Sequence, residues 1–453
     1  MKKILAIVLS LMLLLGAVAC ASTPAAPAAS SAPAAEAKAD APKAEAAAPA
    51  AEPAAEPAAE PAAEPAAEPA PAPAESKVVR DESEYVNMTM EQLYEEAKKE
   101  VAEGHQLVVY SETGSTAKSV AKFQEAYPEI IPECTKLKTN AIAEKIELEY
   151  QGNPYCDVVI TSDGSGSIYE DWYTKGYVEA YYPAAIEGEL IPEYTPYGLP
   201  ITLEADIWYY STTAFPDGAP INNWWDAVEM KENGESKYTI VSHEANNLNM
   251  ASTLANLVKN SDKLEAAYKE KYGKDIEYTY PADSGVEANN AGYEWLYRFL
   301  QTNHIVTNDS DEILEIVDKS TAESPVLGYG SGIKLGDALE LGRNIDYITT
   351  LSQFNGFARA KFVYICTKTD NPAAARLFAL YSLGGEDGQG AGYDAYVNRM
   401  GCYPTRTSRD ASAFNPKYSF ESLRLLPTDL HFVNLNYLDV QDFWNYFAEE
   451  FKK

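Results

Sequence analysis

Basic residues are scarce in this chain: 36 Lys and Arg stand against 68 Asp and Glu, a formal net charge of −32. A nucleic-acid binder needs a basic footprint, so that function is excluded. Adhesion to anionic lipid through a polybasic patch is excluded on the same ground. Histidine is also scarce: His105, His243, His304 and His431 are the four, and no two have metal-ligand spacing. Cysteine is too thin for a disulfide framework, with five in 453 residues and no CxxC pair. Catalytic signatures are missing as well. There is no Gly-x-Ser-x-Gly elbow, no Walker loop and no zincin motif. Gly328-Tyr329-Gly330-Ser331-Gly332 lacks the spacing of a dinucleotide fingerprint. No enzyme is expected.

One apolar run stands out, from Ile4 to Val18, behind Met1-Lys2-Lys3 and before Ala19-Cys20. A charged start, a short apolar stretch and a small residue before the cut make residues 1–19 a secretory signal. From Ala21 to Ser76 the composition falls to Ala, Pro, Glu and Ser, and prolines recur at 53, 57, 61, 65 and 69. A proline every fourth residue forbids the helix that Ala and Glu would favour. Residues 20–76 are therefore expected to be a disordered, polyproline-like stalk reaching at most about 170 Å. Residues 1–76 hold 4 basic and 9 acidic residues; removing them leaves 32 and 59, a net charge of −27. The globular part is acidic in its own right.

That part alternates strands and helices. Thr89-Met90-Glu91-Gln92 is a capping box, followed by Leu93, Ala97 and Val101 on one face. Leu107–Tyr110 is a continuous apolar run, Asp157–Ile160 is a strand apolar from Val158 on, and a further strand is expected at Glu133–Lys138. Helices are expected between them. This pattern predicts right-handed crossovers and a mostly parallel sheet covered on both faces. Ligands in such sheets sit beyond the carboxyl ends of the strands. Two loops there, Ser111–Ser115 and Thr161–Ser167, are rich in Ser, Thr and Gly and precede helices. Helix N-termini favour oxygen-rich ligands, and the same residues are ordinary N-caps, so both readings stand.

Cys20 follows Ala17-Val18-Ala19 and resembles the lipidated cysteine of bacterial lipoproteins, with Ala17 where that motif usually has Leu. The remainder resembles the extracellular solute-binding proteins of ABC importers, closest to the ferric-iron-binding, type II periplasmic-binding-protein group. The carrying segments are 107–130 (LVVYSETGS…AKFQEAYPEI), 156–183, 205–228, 362–389 and 396–406, in that order.

The resemblance implies two α/β lobes with mixed, mostly parallel sheets flanked by helices: 82–203 plus 350–453, and 204–349. Crossing strands are expected near Thr202–Trp208 and Tyr347–Gln353. It implies a ligand site of Ser111, Gly114, Ser115, Thr161, Ser162 and Asp163 from the first lobe. From the second it implies Asn246, Asn247, Tyr329 and Gly330. Relatives that bind ferric iron use a Tyr-Tyr pair where this chain has only Tyr329, the one candidate metal ligand. No resident cofactor is implied; ferric iron or an iron complex would be cargo. A phosphorylated or phosphonate compound, a thiamine-like compound or a small sugar are the alternatives, with a secreted enzyme last. The implied partners are an ABC permease and, through lipid on Cys20, the outer face of a membrane. The implied state is an extracytoplasmic monomer. Tyr209-Tyr210 and Trp224-Trp225 read as core packing rather than ligand contacts. Cys134, Cys156, Cys366 and Cys402 read as buried free thiols.

Overall fold

The structure is a computed structural model that describes residues 77–152, 155–286 and 288–451. The signal, Cys20 and the stalk lie outside these residues. In the first third of the described chain come α1 (Met90–Ala102), β1 (Val108–Ser111), α2 (Gly114–Ala126), β2 (Glu133–Lys136), α3 (Thr139–Gln151), β3 (Val158–Thr161), β4 (Val178–Glu179) and β5 (Leu199–Ser211). Next are α4 (Trp224–Ala227), β6 (Thr239–Ser242), α5 (Leu248–Lys259), α6 (Ser261–Tyr272), α7 (Ala291–Gln301), β7 (Asn303–Val306), α8 (Ser310–Asp318), β8 (Val326–Ser331), α9 (Lys334–Glu340) and β9 (Ile345–Tyr347). The last part holds β10 (Gly356–Cys366), α10 (Pro372–Ser382), α11 (Ala391–Val397), β11 (Cys402–Pro404), β12 (Leu425–Pro427) and α12 (Leu430–Glu450).

Local chemistry accounts for many of these boundaries. The capping box before α1 forms, with Thr89 accepting from the Gln92 N–H and Gln92 reaching back to Thr89. Proline opens α10, where its missing N–H is harmless. β1 and β3 are buried along their whole length, which fits their unbroken apolar runs.

The sheet runs β2-β1-β3-β10-β5-β8-β6-β7. β1 pairs in parallel with β2 and β3, and β6 pairs in parallel with β7 and β8. These two parallel wings are joined by β5 and β10, which are antiparallel to each other and to the wings they border. The 13 residues of β5 span roughly 43 Å at the usual rise, enough to border both wings. It pairs with β10 at one end and with β8 at the other. This is a mixed α/β fold with helices on the sheet faces.

Two apolar cores flank the crossing. One joins α1, α2, α10 and α11 to β1, β3 and β10, and extends under β5 to α8. The other gathers Trp208, Trp224, Trp225 and Trp295 with α5, α6 and α7. Trp224 and Trp225 are core residues, and their indole N–H groups donate to the carbonyls of Phe354 and Leu264, both at 2.8 Å. Tyr209 and Tyr210 point into different cores, as alternation along a strand requires. The four described cysteines are free thiols; Cys134 is half-buried and the others are buried.

Two features differ from the sequence reading. The second long crossing strand is Gly356–Cys366, later than Tyr347–Gln353, whose first residue closes the short β9. The last helix, grouped by the sequence with 82–203, packs with the opposite core. Val433, Val440, Phe443 and Phe447 form a stripe along α12 that packs with residues of α5 and α7.

Candidate functional site

The loops beyond β1 and β3 meet the face of β5 and β10 that carries Glu204, Asp206, Arg359 and Lys361. Register sets Arg359 opposite Glu204 and Lys361 opposite Thr202. All four side chains are about 5 % exposed. Arg359 grips Asp206 with two bonds, from Nε and Nη2, each 3.1 Å. Its Nη2 is 3.5 Å from Glu204. Lys361 lies 2.6 Å from Glu204 and 3.9 Å from Glu112 in the loop after β1. Three carboxylates thus share two cations. Burial works against the charge of Arg359, but Asp206 and Glu204 outweigh it and push its pKa up. Burial likewise opposes ionisation of Glu112 and Glu204, yet Lys361 and Arg359 hold both below the usual carboxylate value.

Glu112 is also held by the neighbouring loops. Its Oε2 accepts from Thr139 Oγ1 at 2.5 Å and Thr161 Oγ1 at 2.9 Å, and its Oε1 accepts from the Ser162 N–H at 3.0 Å. Beside this group lies a cavity of about 280 Å³, close to the lower size of ligand pockets. The start of α3, the 161–167 loop and Trp172 line one side, and Leu248 at the start of α5 and Tyr437 on α12 line the other. The loop comes close to α5: a Cβ on Gly164 would be 3.3 Å from both Leu248 Cβ and Asn249 Oδ1. Helix α12 ties the rim together. Asn434 donates to the Ser165 carbonyl at 3.1 Å, and Gln441 donates to the Ala245 carbonyl at 2.7 Å.

Of the residues the sequence nominated, Thr161 and Asp163 line this cavity. Ser162 stands next to Glu112 and is 3.5 Å from Arg359 Nη1. Ser111 is buried and structural: its Oγ donates to the Ile160 carbonyl at 2.9 Å and bonds Thr116 Oγ1 at 2.7 Å, joining β1, α2 and β3. Gly114 is the exposed first residue of α2, and the half-buried Ser115 donates its N–H to Thr113 Oγ1. Asp163 has a positive φ of 48° and caps the next turn, accepting from the N–H groups of Ile168 and Tyr169 at 3.1 Å each. Burial raises its pKa to about 7, against the pull of those N–H groups.

Asn247 caps α5, and Asn246 is exposed, bonding Glu244. Asn246 lines a larger groove of about 840 Å³ along β6, β7 and the end of α12. That groove draws on one wing only, so the smaller cavity between the two wings is the better candidate for a ligand site. Tyr329 and Gly330 lie on β8, away from the cavity lining. The Tyr329 hydroxyl donates to the Asp206 carbonyl at 3.1 Å, and burial pushes its pKa far up. Its oxygen is a neutral donor facing the crossing strand. Among the described residues, no three His, Cys, Asp or Glu side chains are grouped so as to hold a metal ion.

Sequence reasoning missed Glu112, Thr139, Glu204, Asp206, Leu248, Arg359, Lys361 and Tyr437. A signal existed for four of them. Glu204 and Asp206, and Arg359 and Lys361, are charges at alternate positions inside otherwise apolar strand sequences. Such a pattern places all the charges on one face.

Two parallel wings joined by a pair of crossing strands, with loops of both wings around a cavity, make the fold that of the type II periplasmic binding proteins. No family model matches the chain, and no curated protein matches it. Solved structures do. Iron-bound HitA from Pseudomonas aeruginosa is similar at 15% identity, over 74% of this chain and 98% of that one, with a TM-score of 0.56. The ferric binding protein from Campylobacter jejuni is similar at 15% identity, over 76% and 99%, with a TM-score of 0.55. The periplasmic binding protein AfuA from Actinobacillus pleuropneumoniae, with exogenous fructose-6-phosphate bound, is similar at 17% identity, over 77% and 98%, with a TM-score of 0.51. At these identities the likeness is one of fold.

Proposed function

We propose that this chain is the substrate-binding component of an ABC importer, a non-enzymatic receptor for a small polar solute. The observation that carries this reading is the cavity whose walls come from both wings, beside the charged cluster on the strands that join them. Solute in that cavity touches the 161–167 loop on one side and α5 and α12 on the other. It therefore stabilises the arrangement in which the wings meet. Closure needs only that solute binds this arrangement better than an open one. β5 and β10 are the strands about which the wings would turn, since they are the main-chain ladder between them. A permease would then read the closed shape. The signal would direct export, and the lipid on Cys20 and the stalk would then hold the receptor outside the cytoplasmic membrane, near that permease.

A ferric solute is the alternative, favoured by the iron-bound state of HitA. It would require Tyr329 to leave the Asp206 carbonyl, lose its proton and reach the cavity. Native mass spectrometry of the full chain, with a metal assay, tests both readings. The proposal expects a small organic mass to co-purify at one per chain. A stoichiometric iron signal would favour the alternative, and neither mass nor metal from any growth condition would count against a receptor.

A further inference from the structure

Glu112 occupies a place that a ligand anion would otherwise suit. Two hydroxyls (Thr139, Thr161), one backbone N–H (Ser162) and one ammonium (Lys361) converge on its carboxylate at the carboxyl ends of β1 and β3. Hydroxyl, amide and ammonium donors of this kind form the usual cradle for a phosphate or carboxylate. Here the chain fills the cradle with its own side chain. Thr139 and Thr161 also line the cavity, so the filled cradle lies directly behind its wall.

The rest of the lining offers no replacement for a ligand's negative charge. Its polar groups include Asn140, Ser165 and Ser167, and among the described residues its only ionisable side chains besides Tyr437 are the carboxyls of Glu144 and Asp163. Lys361 is held by Glu204 and Arg359 by Asp206, so the nearby cations are already matched. An anion entering the cavity would lie one residue's breadth from the Glu112 carboxylate, across Thr139 and Thr161, in a poorly solvated space.

We infer that Glu112 is a specificity-determining residue that excludes anions, and that the solute is an uncharged or cationic compound presenting N–H or O–H donors. This rests on the receptor reading for the role of the cavity. Phosphorylated and phosphonate compounds are thereby excluded, whatever the fold's relatives bind. Removing Glu112 leaves two carboxylates against two cations and frees three hydrogen-bond donors, those of Thr139, Thr161 and Ser162, beside the Lys361 ammonium. The variant should gain an anion site.

The test is calorimetric titration of inorganic phosphate into the full chain, wild type and Glu112→Ala, with circular dichroism melts of each. Wild type should show no binding at millimolar phosphate, and Glu112→Ala should bind about tenfold or more tightly than wild type. Glu112→Gln keeps the bulk and drops the charge; it should fall between the two, and it carries the test if the alanine variant does not fold. Phosphate binding to wild type as tight as to the variants would overturn the inference. So would folded variants that gain none, or an anionic solute co-purifying with wild type. Failure of the receptor reading would appear elsewhere, as the lack of any solute-dependent compaction, and would leave the phosphate titration unchanged.

Discussion

Replacing Arg359 with methionine tests whether the charges between the wings are dry. Methionine keeps most of the side-chain length and removes the guanidinium. Asp206 then loses both of its 3.1 Å bonds, and Glu204 loses one of its two cations. Asp206 is about 5 % exposed, so water cannot take over from the missing partner. Breaking a buried pair by deleting one member is worth roughly 3–5 kcal/mol of lost stability. Against a typical total of about 5–15 kcal/mol, that is a large fraction. Removing both members behaves differently, because an apolar pair of similar volume avoids the desolvation of two ions. Asp206→Leu/Arg359→Met should therefore recover most of the loss, to within about 1 kcal/mol of wild type. Urea unfolding at pH 7 measures both, with the m-value as a check that the unfolded state is unchanged. If Arg359→Met loses less than about 1 kcal/mol, as exposed pairs do, the cluster is wetted and the wings do not seal over it.

Three further outcomes follow from single side chains. The Asp163 carboxyl ionises near 3.8 when unfolded and near 7 in the native state, so its contribution is present at low pH and lost as pH rises through that window. At about 1.4 kcal/mol per unit, Asp163→Asn should lose about 2 kcal/mol less stability than wild type between pH 5 and pH 7.5; an identical slope in urea titrations would show that Asp163 is solvated. Gly166 has a φ of 68°, and a Cβ there would lie 2.1 Å from the Leu430 carbonyl oxygen, so Gly166→Ala should destabilise by about 1–3 kcal/mol, read by thermal melting; an unchanged melt would mean that α12 does not press on the loop. Tyr329→Phe removes one buried bond to the Asp206 carbonyl and should lower stability by about 1 kcal/mol without altering solute affinity; loss of a visible phenolate band in that variant would instead establish the ferric reading.

The parts legible in the sequence were those fixed locally. The capping box at Thr89, the proline start of α10 and the apolar runs of β1 and β3 depend on neighbours in the chain, and each appears where its chemistry puts it. The first crossing, read as Thr202–Trp208, lies inside β5. The second was harder because Arg359 and Lys361 interrupt an apolar run, and their justification is on another strand, in Glu204 and Asp206. Helix α12 shows a similar dependence: its apolar stripe is visible, but the core it joins is not. Among the nominated site residues, Thr161 was readable from its loop. The opposite wall, Leu248 and Tyr437, is assembled by tertiary packing and leaves no pattern in the chain. Ser111 illustrates the ambiguity of small polar residues after a strand, since its hydroxyl is consumed in joining β1, α2 and β3.

The claim that solute draws the two wings together is tested most directly by small-angle scattering of the full chain, first stripped of its co-purifying solute and then reloaded with it. The account predicts a smaller radius of gyration on reloading, saturating at one solute per chain. An unchanged curve with solute demonstrably bound would contradict it.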